Sequence, residues 1–263
     1  MKFRVSLFFA TIALSWSTYL TGQELGTGLK SFQSINVNVR ITDKTTLSYG
    51  QWYITTLSGL NGLWFTMLQQ KFEVDYRLSK KFRLEFTWKP SYFHYTNGTW
   101  RWIHILALNA KYTKKVNRKN LTTTLRSELF TPQQSKYRYR FILISRYYLT
   151  RYRLPGKSAL YAEGRLYYYL DGRPINYYEN GELVITQAPN DFHRFRTTLG
   201  WRFKTSKHTR FVLYGTWNKE FNNPFTQYRE INVPSRTGNT ILRDFNNYFI
   251  IGTGLSIRID ARD

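Results

Sequence analysis

Four histidines, His94, His104, His193 and His208, are the side chains of this sequence best suited to moving a proton near neutral pH. Hydrolytic chemistry would set one of them beside a nucleophile, and a close His-x-Ser pattern is the form to look for. His94 is followed by Tyr95-Thr96, His104 by Ile105-Leu106 and His193 by Arg194-Phe195, so no nucleophile–base pair is readable. No two histidines stand at i, i+2 or i, i+4 and the chain has no cysteine, which leaves no metal-ligand set of recognisable spacing. The lack of cysteine also excludes disulfide staples, thiol catalysis and a lipid-modified N-terminal cysteine. Asp171, Glu179, Glu182 and Asp191 are too scattered for a calcium loop. The sequence therefore predicts no catalytic residue, no cofactor and no metal.

A second constellation is larger. Glu73, Asp75, Glu85, Glu128, Glu163 and Glu220 share one alternating phase with Arg77, Arg83, Arg126, Arg138, Arg140, Arg146, Arg165, Arg194, Arg196 and Arg202. Carboxylates and guanidiniums on one surface can lock into a lattice of ion pairs, or, with arginine in excess, line a narrow path that favours small anionic or polar solutes. The expected members of the network are Glu73, Arg77, Arg83, Glu85, Arg138, Arg140, Arg146, Glu163, Arg165, Arg194, Arg196 and Arg202. The chain as a whole is basic, with 39 Lys+Arg against 16 Asp+Glu and a formal net charge of +23. Alone, that balance points to nucleic acid or an acidic surface.

The elements that would position these charges read as strands. In "KFEVDYRL" (71–78), Phe72, Val74, Tyr76 and Leu78 oppose Lys71, Glu73, Asp75 and Arg77. "FRLEFTWK" (82–89) repeats the pattern after Ser79-Lys80-Lys81. "YRYRFILISRYYL" sets Tyr137, Tyr139, Phe141, Leu143 and Tyr147 against Arg138, Arg140 and Arg146. "ALYAEGRLYYYL" sets Leu160, Ala162, Leu166 and Leu170 against Tyr161, Glu163, Arg165 and Tyr167. In 193–204, Phe195, Leu199, Trp201 and Phe203 oppose Arg194, Arg196 and Arg202. About eleven such segments are counted from near 31–42 to 245–259, many of about 10–14 residues. Ordinary strands average about 5–6 residues, whereas a tilted membrane-crossing strand needs about 9–11.

The opening "MKFRVSLFFATIALSWSTYLTG" has Lys2 and Arg4, an apolar run from Val5 to about Leu14, and a small residue at the expected Gly22/Gln23 cut. It predicts a signal peptide over 1–22 and a single barrel domain over 23–263; export counts against a nucleic-acid partner. Short polar turns (43–45, 79–81, 114–119, 151–157, 205–209) alternate with longer links, above all 171–191 and 222–244. Short turns at one end and long loops at the other are the signature of outer-membrane barrels. The predicted fold is all-β, an antiparallel transmembrane β-barrel of about 10–12 strands, with short periplasmic turns and longer external loops. "GQELGTGLK" makes a poor strand, so the count stays a range. Trp52, Trp64, Trp100, Trp102, Trp217 and Tyr248 fit interfacial girdles, and His94, His104 and His193 fall on the lipid-side phase. His208 reads as solvated, the in-strand glycines 50, 164, 200, 215, 252 and 254 as bends, and "DGRPINYYENGELV" as a turn-rich external hairpin.

Aromatic alternating strands such as "KFRLEFTWKPSYFHY", "YRYRFILISRYYL" and "HRFRTTLGWRFK" followed by "FVLYGTWNKEFN" resemble the domain of unknown function 2490 proteins, common in the Bacteroidetes. The resemblance covers about 30–260 and implies an outer-membrane β-barrel without an assigned activity. The expected function is a structural or accessory outer-membrane barrel that associates with another envelope complex. The alternatives are a narrow channel and a lipid-modifying enzyme using His94 or His193. The expected partners are outer-membrane lipid and lipopolysaccharide, touched by Lys114, Lys115, Arg118, Lys119, Arg151, Arg153 and Arg173, and other envelope proteins.

Overall fold

The structure is a computed structural model and describes residues 28–58, 62–94, 100–134, 137–150, 158–189, 191–192, 194–221, 233, 235–237 and 247–261. The expected signal peptide (1–22), His193, Arg151 and Arg153 lie outside the described residues, as do the side chains of 57–65, Trp64 among them.

Among the described residues thirteen strands follow one another: β1 (Gly28–Arg40), β2 (Thr45–Ser58), β3 (Gly62–Arg77), β4 (Phe82–His94), β5 (Trp100–Val116), β6 (Lys119–Gln134), β7 (Tyr137–Tyr148), β8 (Ser158–Leu170), β9 (Ile175–Glu179), β10 (Glu182–Gln187), β11 (Arg194–Lys204), β12 (Thr209–Glu220) and β13 (Tyr248–Asp260). Eleven of them close a barrel in the order β1-β13-β12-β11-β8-β7-β6-β5-β4-β3-β2, while β9 and β10 form a separate hairpin. The barrel strands run from 11 residues in β11 to 17 in β5.

Eleven settles the strand count, and it corrects the all-antiparallel expectation. Eleven strands are joined by ten antiparallel steps, and an even number of reversals leaves the first and last strands pointing the same way. β1 and β13 accordingly pair in parallel along their whole length, from Gly28↔Tyr248 to Arg40↔Asp260. Parallel bonds are slightly weaker per residue, and side chains reinforce this seam. Asn38 donates to the Ser256 hydroxyl (2.9 Å) and the Ile257 carbonyl (3.2 Å) and accepts from Ser48 (2.9 Å). Arg40 lies 3.7 Å from Asp260, and Lys30 stands 4.5 Å over the Tyr248 ring. The last residues of the segment expected to make a poor strand, Leu29 and Lys30, are therefore held from both edges, and residues 22–27 of that segment lie outside the described residues.

One end of the barrel is closed by compact turns with a shared device. The hydroxyl of Thr42 accepts from the amides of Lys44 and Thr45 (3.1 and 2.9 Å), that of Ser79 from Lys81 and Phe82 (3.2 and 3.1 Å), and that of Ser206 from His208 and Thr209 (3.1 and 2.9 Å). A short side chain thus supplies the acceptor that a reversing backbone lacks. Asn117-Arg118, with φ of 49° and 60°, makes the two-residue turn between β5 and β6. At the other end, Asn180-Gly181 (φ 51° and 85°) closes the β9–β10 hairpin, which matches the hairpin read from the sequence.

Burial alternates along the strands as expected, for example eBeBeB over Trp102–Ala107. The outward phase carries most of the exposed apolar side chains, including Phe72, Phe86, Leu108, Leu125, Leu143, Leu199 and Ile251. Several glycines have a role other than bending. A Cβ on Gly200 or Gly252 would overlap the ring of its direct cross-strand partner, Tyr161 or Tyr214. These positions are bare so that an inward tyrosine can lie across them.

Candidate functional site

The buried phase of the sheet encloses the interior, where most of the expected charged residues meet. Glu128 on β6 is the centre of one cluster: it accepts from Lys89 of β4 at 2.7 Å and Arg140 Nε of β7 at 2.6 Å, with Arg126 at 3.9 Å. Glu163 on β8 is the centre of a second, accepting from Arg146 Nε and Arg165 Nε, each at 2.6 Å. Glu73 takes Lys71 at 3.0 Å, and Glu85 takes Lys111 of β5 at 2.5 Å. Glu220 takes Arg194, which also donates to the Tyr169 hydroxyl at 3.0 Å. Three of the contacts are direct cross-strand pairs, since Glu128 lies opposite Arg140, Glu163 opposite Arg146 and Glu220 opposite Arg194.

Arg196 and Arg202 reach neutral side chains. Arg196 donates to Asn218 (3.1 Å) and the Tyr248 hydroxyl (2.9 Å), and Arg202 to the Tyr148 hydroxyl (2.8 Å). Arg83 meets Asp75 at 3.4 Å, and Arg77 donates to the Asp43 carbonyl. Arg138 stands apart: it is exposed at the start of β7, 5.5 Å over the Tyr139 ring.

Charged groups removed from water lose hydration worth several kcal/mol per ion, so a buried carboxylate persists only with partners on it. Glu128 and Glu163 each have at least two cations, and the aromatic rings add to them. Arg140 lies 4.9 Å from the Phe130 ring, and Arg146 lies 4.8 Å from Tyr161. Sequence reading named the arginines but not Lys89, Lys111, Asn218 or Asn109, which accepts from Arg126 Nε at 2.5 Å, as their companions. The period-2 pattern placed Lys89 inward; only cross-strand register, which a single sequence does not print, could have paired it with Glu128.

Two further features of the interior escaped the sequence reading. Ile103, Ile105 and Phe130 form a buried apolar cluster, and Ile142, Ile144, Tyr167 and Tyr169 form another beside it. Tyr137 packs against both, 4.9 Å from Phe130 and 4.6 Å from Tyr169, so it leaves the outward row to which alternation assigned it. The register shift between Leu129 and Gln134 in the β6–β7 ladder accounts for the change of side. Trp52 and Tyr248 also leave the expected girdle: Trp52 lies under Lys71 (5.8 Å), and Tyr248 receives Arg196. Trp100, Trp102 and Trp217 stay on the outward phase.

Two of the described histidines, His94 and His104, stack on that outer surface. His94 lies 4.1 Å from Trp100 and His104 lies 6.0 Å from Trp88. His208 is exposed, with Nδ1 3.2 Å from the Arg258 carbonyl. Among the described residues no group of three or more His, Asp or Glu is placed to hold a metal. No protein-family model matches the chain, and no curated protein matches it. The fold itself is that of an eleven-stranded closed β-barrel, consistent with outer-membrane barrels in general and not diagnostic of one family.

Proposed function

We propose that the protein is a small outer-membrane β-barrel of a Gram-negative bacterium with a structural or accessory role, exported by residues 1–22 and related to the domain of unknown function 2490 barrels of the Bacteroidetes. The observation that carries this reading is the outer surface. Twenty-nine large apolar or aromatic side chains are exposed among the described residues, Leu108 at 54%, Leu125 at 55% and Ile251 at 55%. Monomers in water rarely expose contiguous apolar patches beyond a few hundred Å². In hydrocarbon the same rows are favourable, and a closed sheet leaves no unpaired backbone edge. Strands of 11 to 17 residues suffice to cross.

In this placement the short turns face the periplasm and the β9–β10 hairpin faces outward. Lys114, Lys115 and Arg118 lie near headgroups at one rim and Arg173 at the other. The paired carboxylates and the apolar clusters favour a closed interior over a conduit, and the stacking of His94 and His104 on tryptophans favours girdle positions over catalysis. The hairpin, with Tyr178 and Leu183 exposed, suits contact with another envelope protein.

Fractionation of expressing cells tests the placement: the protein should partition with outer membrane, require detergent for extraction, and migrate faster on gels when unheated. A chain that stays folded and dispersed in plain buffer would end the proposal. In planar bilayers no conductance steps are expected; steady anion-selective conductance would replace the accessory role with the channel. Hydrolysis of labelled phospholipid that is lost in His94→Ala would replace it with the enzyme.

A further inference from the structure

We infer that the short-turn end of the barrel holds a binding site for a small phosphate-bearing anion, built across the β1–β13 seam. A cavity of about 450 Å³ opens there, and six cations line it: Arg40, Lys44, Arg77, Arg83, Arg210 and Arg258. Only two carboxylates, Asp43 and Asp75, line it with them, leaving a formal excess of four positive charges.

The pairing inside the cavity does not absorb that excess. Arg40 takes Asp43 and reaches Asp260 at 3.7 Å, and Arg83 takes Asp75 at 3.4 Å. Arg77 satisfies itself on the Asp43 carbonyl, which is neutral. Lys44, Arg210 and Arg258 carry no ion pair among the described residues. Like charges gathered around one space repel each other, and a multiply charged anion entering it relieves that repulsion.

The donor type and the size select the ligand. Guanidiniums present planar forks that match phosphate oxygens two at a time, and a compact multiply charged phosphate draws on several forks at once. The volume lies toward the small end of the range for ligand pockets, about 300–1,000 Å³, which suits a phosphorylated small molecule or a single phosphate-bearing headgroup and excludes a polymer. The walls are set before binding. Asn38, tied to Ser48 and Ser256, fixes the seam behind the site, and the Thr42 and Ser206 caps fix the turns that carry Lys44 and His208. The site goes beyond the accessory role proposed above, and it stands whether or not lipid surrounds the barrel.

The test is titration calorimetry of the full-length mature chain, refolded in neutral detergent, with inorganic pyrophosphate as the probe. Saturable binding near one site per chain is expected, weakening as salt is raised. The R210Q/R258Q double variant should weaken it about tenfold or more, while R173Q, at the other end of the barrel, should leave it unchanged. Heat-modifiable gel migration confirms that each variant is folded. In nanodiscs, phosphatidylglycerol that competes with pyrophosphate identifies a headgroup as the source of the phosphate; unchanged affinity identifies a free anion, and both results support the site. The inference is overturned if pyrophosphate shows no saturable binding, or if the folded double variant binds as well as the parent.

Discussion

The wall formed by β4–β8 and the bowl at the short-turn end of the seam are lined by the same residue types and solve opposite problems. In the wall, Glu128 and Glu163 are buried, and each is held by cations from adjoining positions of the sheet. In the bowl the cations outnumber the carboxylates six to two and are more open to solvent, Arg83 at 50% side-chain exposure. The difference teaches that composition does not set the role of a charge inside a barrel. A buried carboxylate with two cations on it is a structural joint. A cluster of cations that outnumbers its carboxylates keeps positive charge free for an incoming anion.

Breaking the wall should produce the largest effect. Glu128→Gln leaves buried Lys89 and part-buried Arg140 and Arg126 without their carboxylate, and loss of about 3–5 kcal/mol is expected. Urea unfolding in lipid vesicles, followed by tryptophan fluorescence, would read it as a lower midpoint. Equal stability of this variant would mean that the lattice is incidental.

The outer surface comes next. Leu108→Arg places a charge on the outward row of β5, 54% exposed in the parent. In a bilayer it should cost about 2–4 kcal/mol if Leu108 lies near the midplane and less toward the rims. A soluble barrel would tolerate it almost without change, which makes the same unfolding measurement a check on environment.

The glycine seats sharpen the comparison at a smaller scale. Gly252→Ala puts a methyl into the ring of Tyr214, and about 1–3 kcal/mol of destabilisation is expected. The double variant G252A/Y214A should lose less than the sum of the two single changes. Strict additivity would show that ring and glycine do not interact.

The smallest effect belongs to the bowl. Arg258→Gln removes one of its exposed cations and should change stability by less than about 0.5 kcal/mol, or raise it slightly, because it relieves repulsion. Set beside Glu128→Gln in the same assay, it is the direct contrast between the two regions.

Much of this fold is written in local alternation. The rows Phe72/Val74/Tyr76 and Phe195/Leu199/Trp201 lie outward as the period demands, and the positions of the turns follow from Thr42, Ser79 and Ser206. The parts that were not legible depend on what lies across the sheet. Alternation says that Lys89 points inward, but not that Glu128 is within reach two strands along. It says that Gly200 faces in, but not that the Tyr161 ring covers it. Tyr137 changes sides because the ladder slips beside it, and a slip leaves no mark in the period of its own strand. Ile142 and Ile144 share the arginine phase of β7 within the apolar run "FILI", and only closure of the sheet makes their side the interior. The parallel seam is a parity effect, and parity appears only once the strands are counted without error. The basic bowl draws on β1, β3, β4, β12 and β13 with two turns, residues up to about 220 positions apart, so no window of sequence contains it.

The central claim is that lipid covers the outward rows, and depth-resolved quenching tests it most directly. The chain has no cysteine, so single cysteines at Leu108, Leu143 and Leu213 (outward) and at Ile142 and Thr216 (inward) can each carry one environment-sensitive fluorophore. In vesicles of brominated lipid, strong quenching is expected at the three outward positions and little at the two inward ones. Equal quenching on both faces, or none at Leu108, Leu143 and Leu213, would contradict the account.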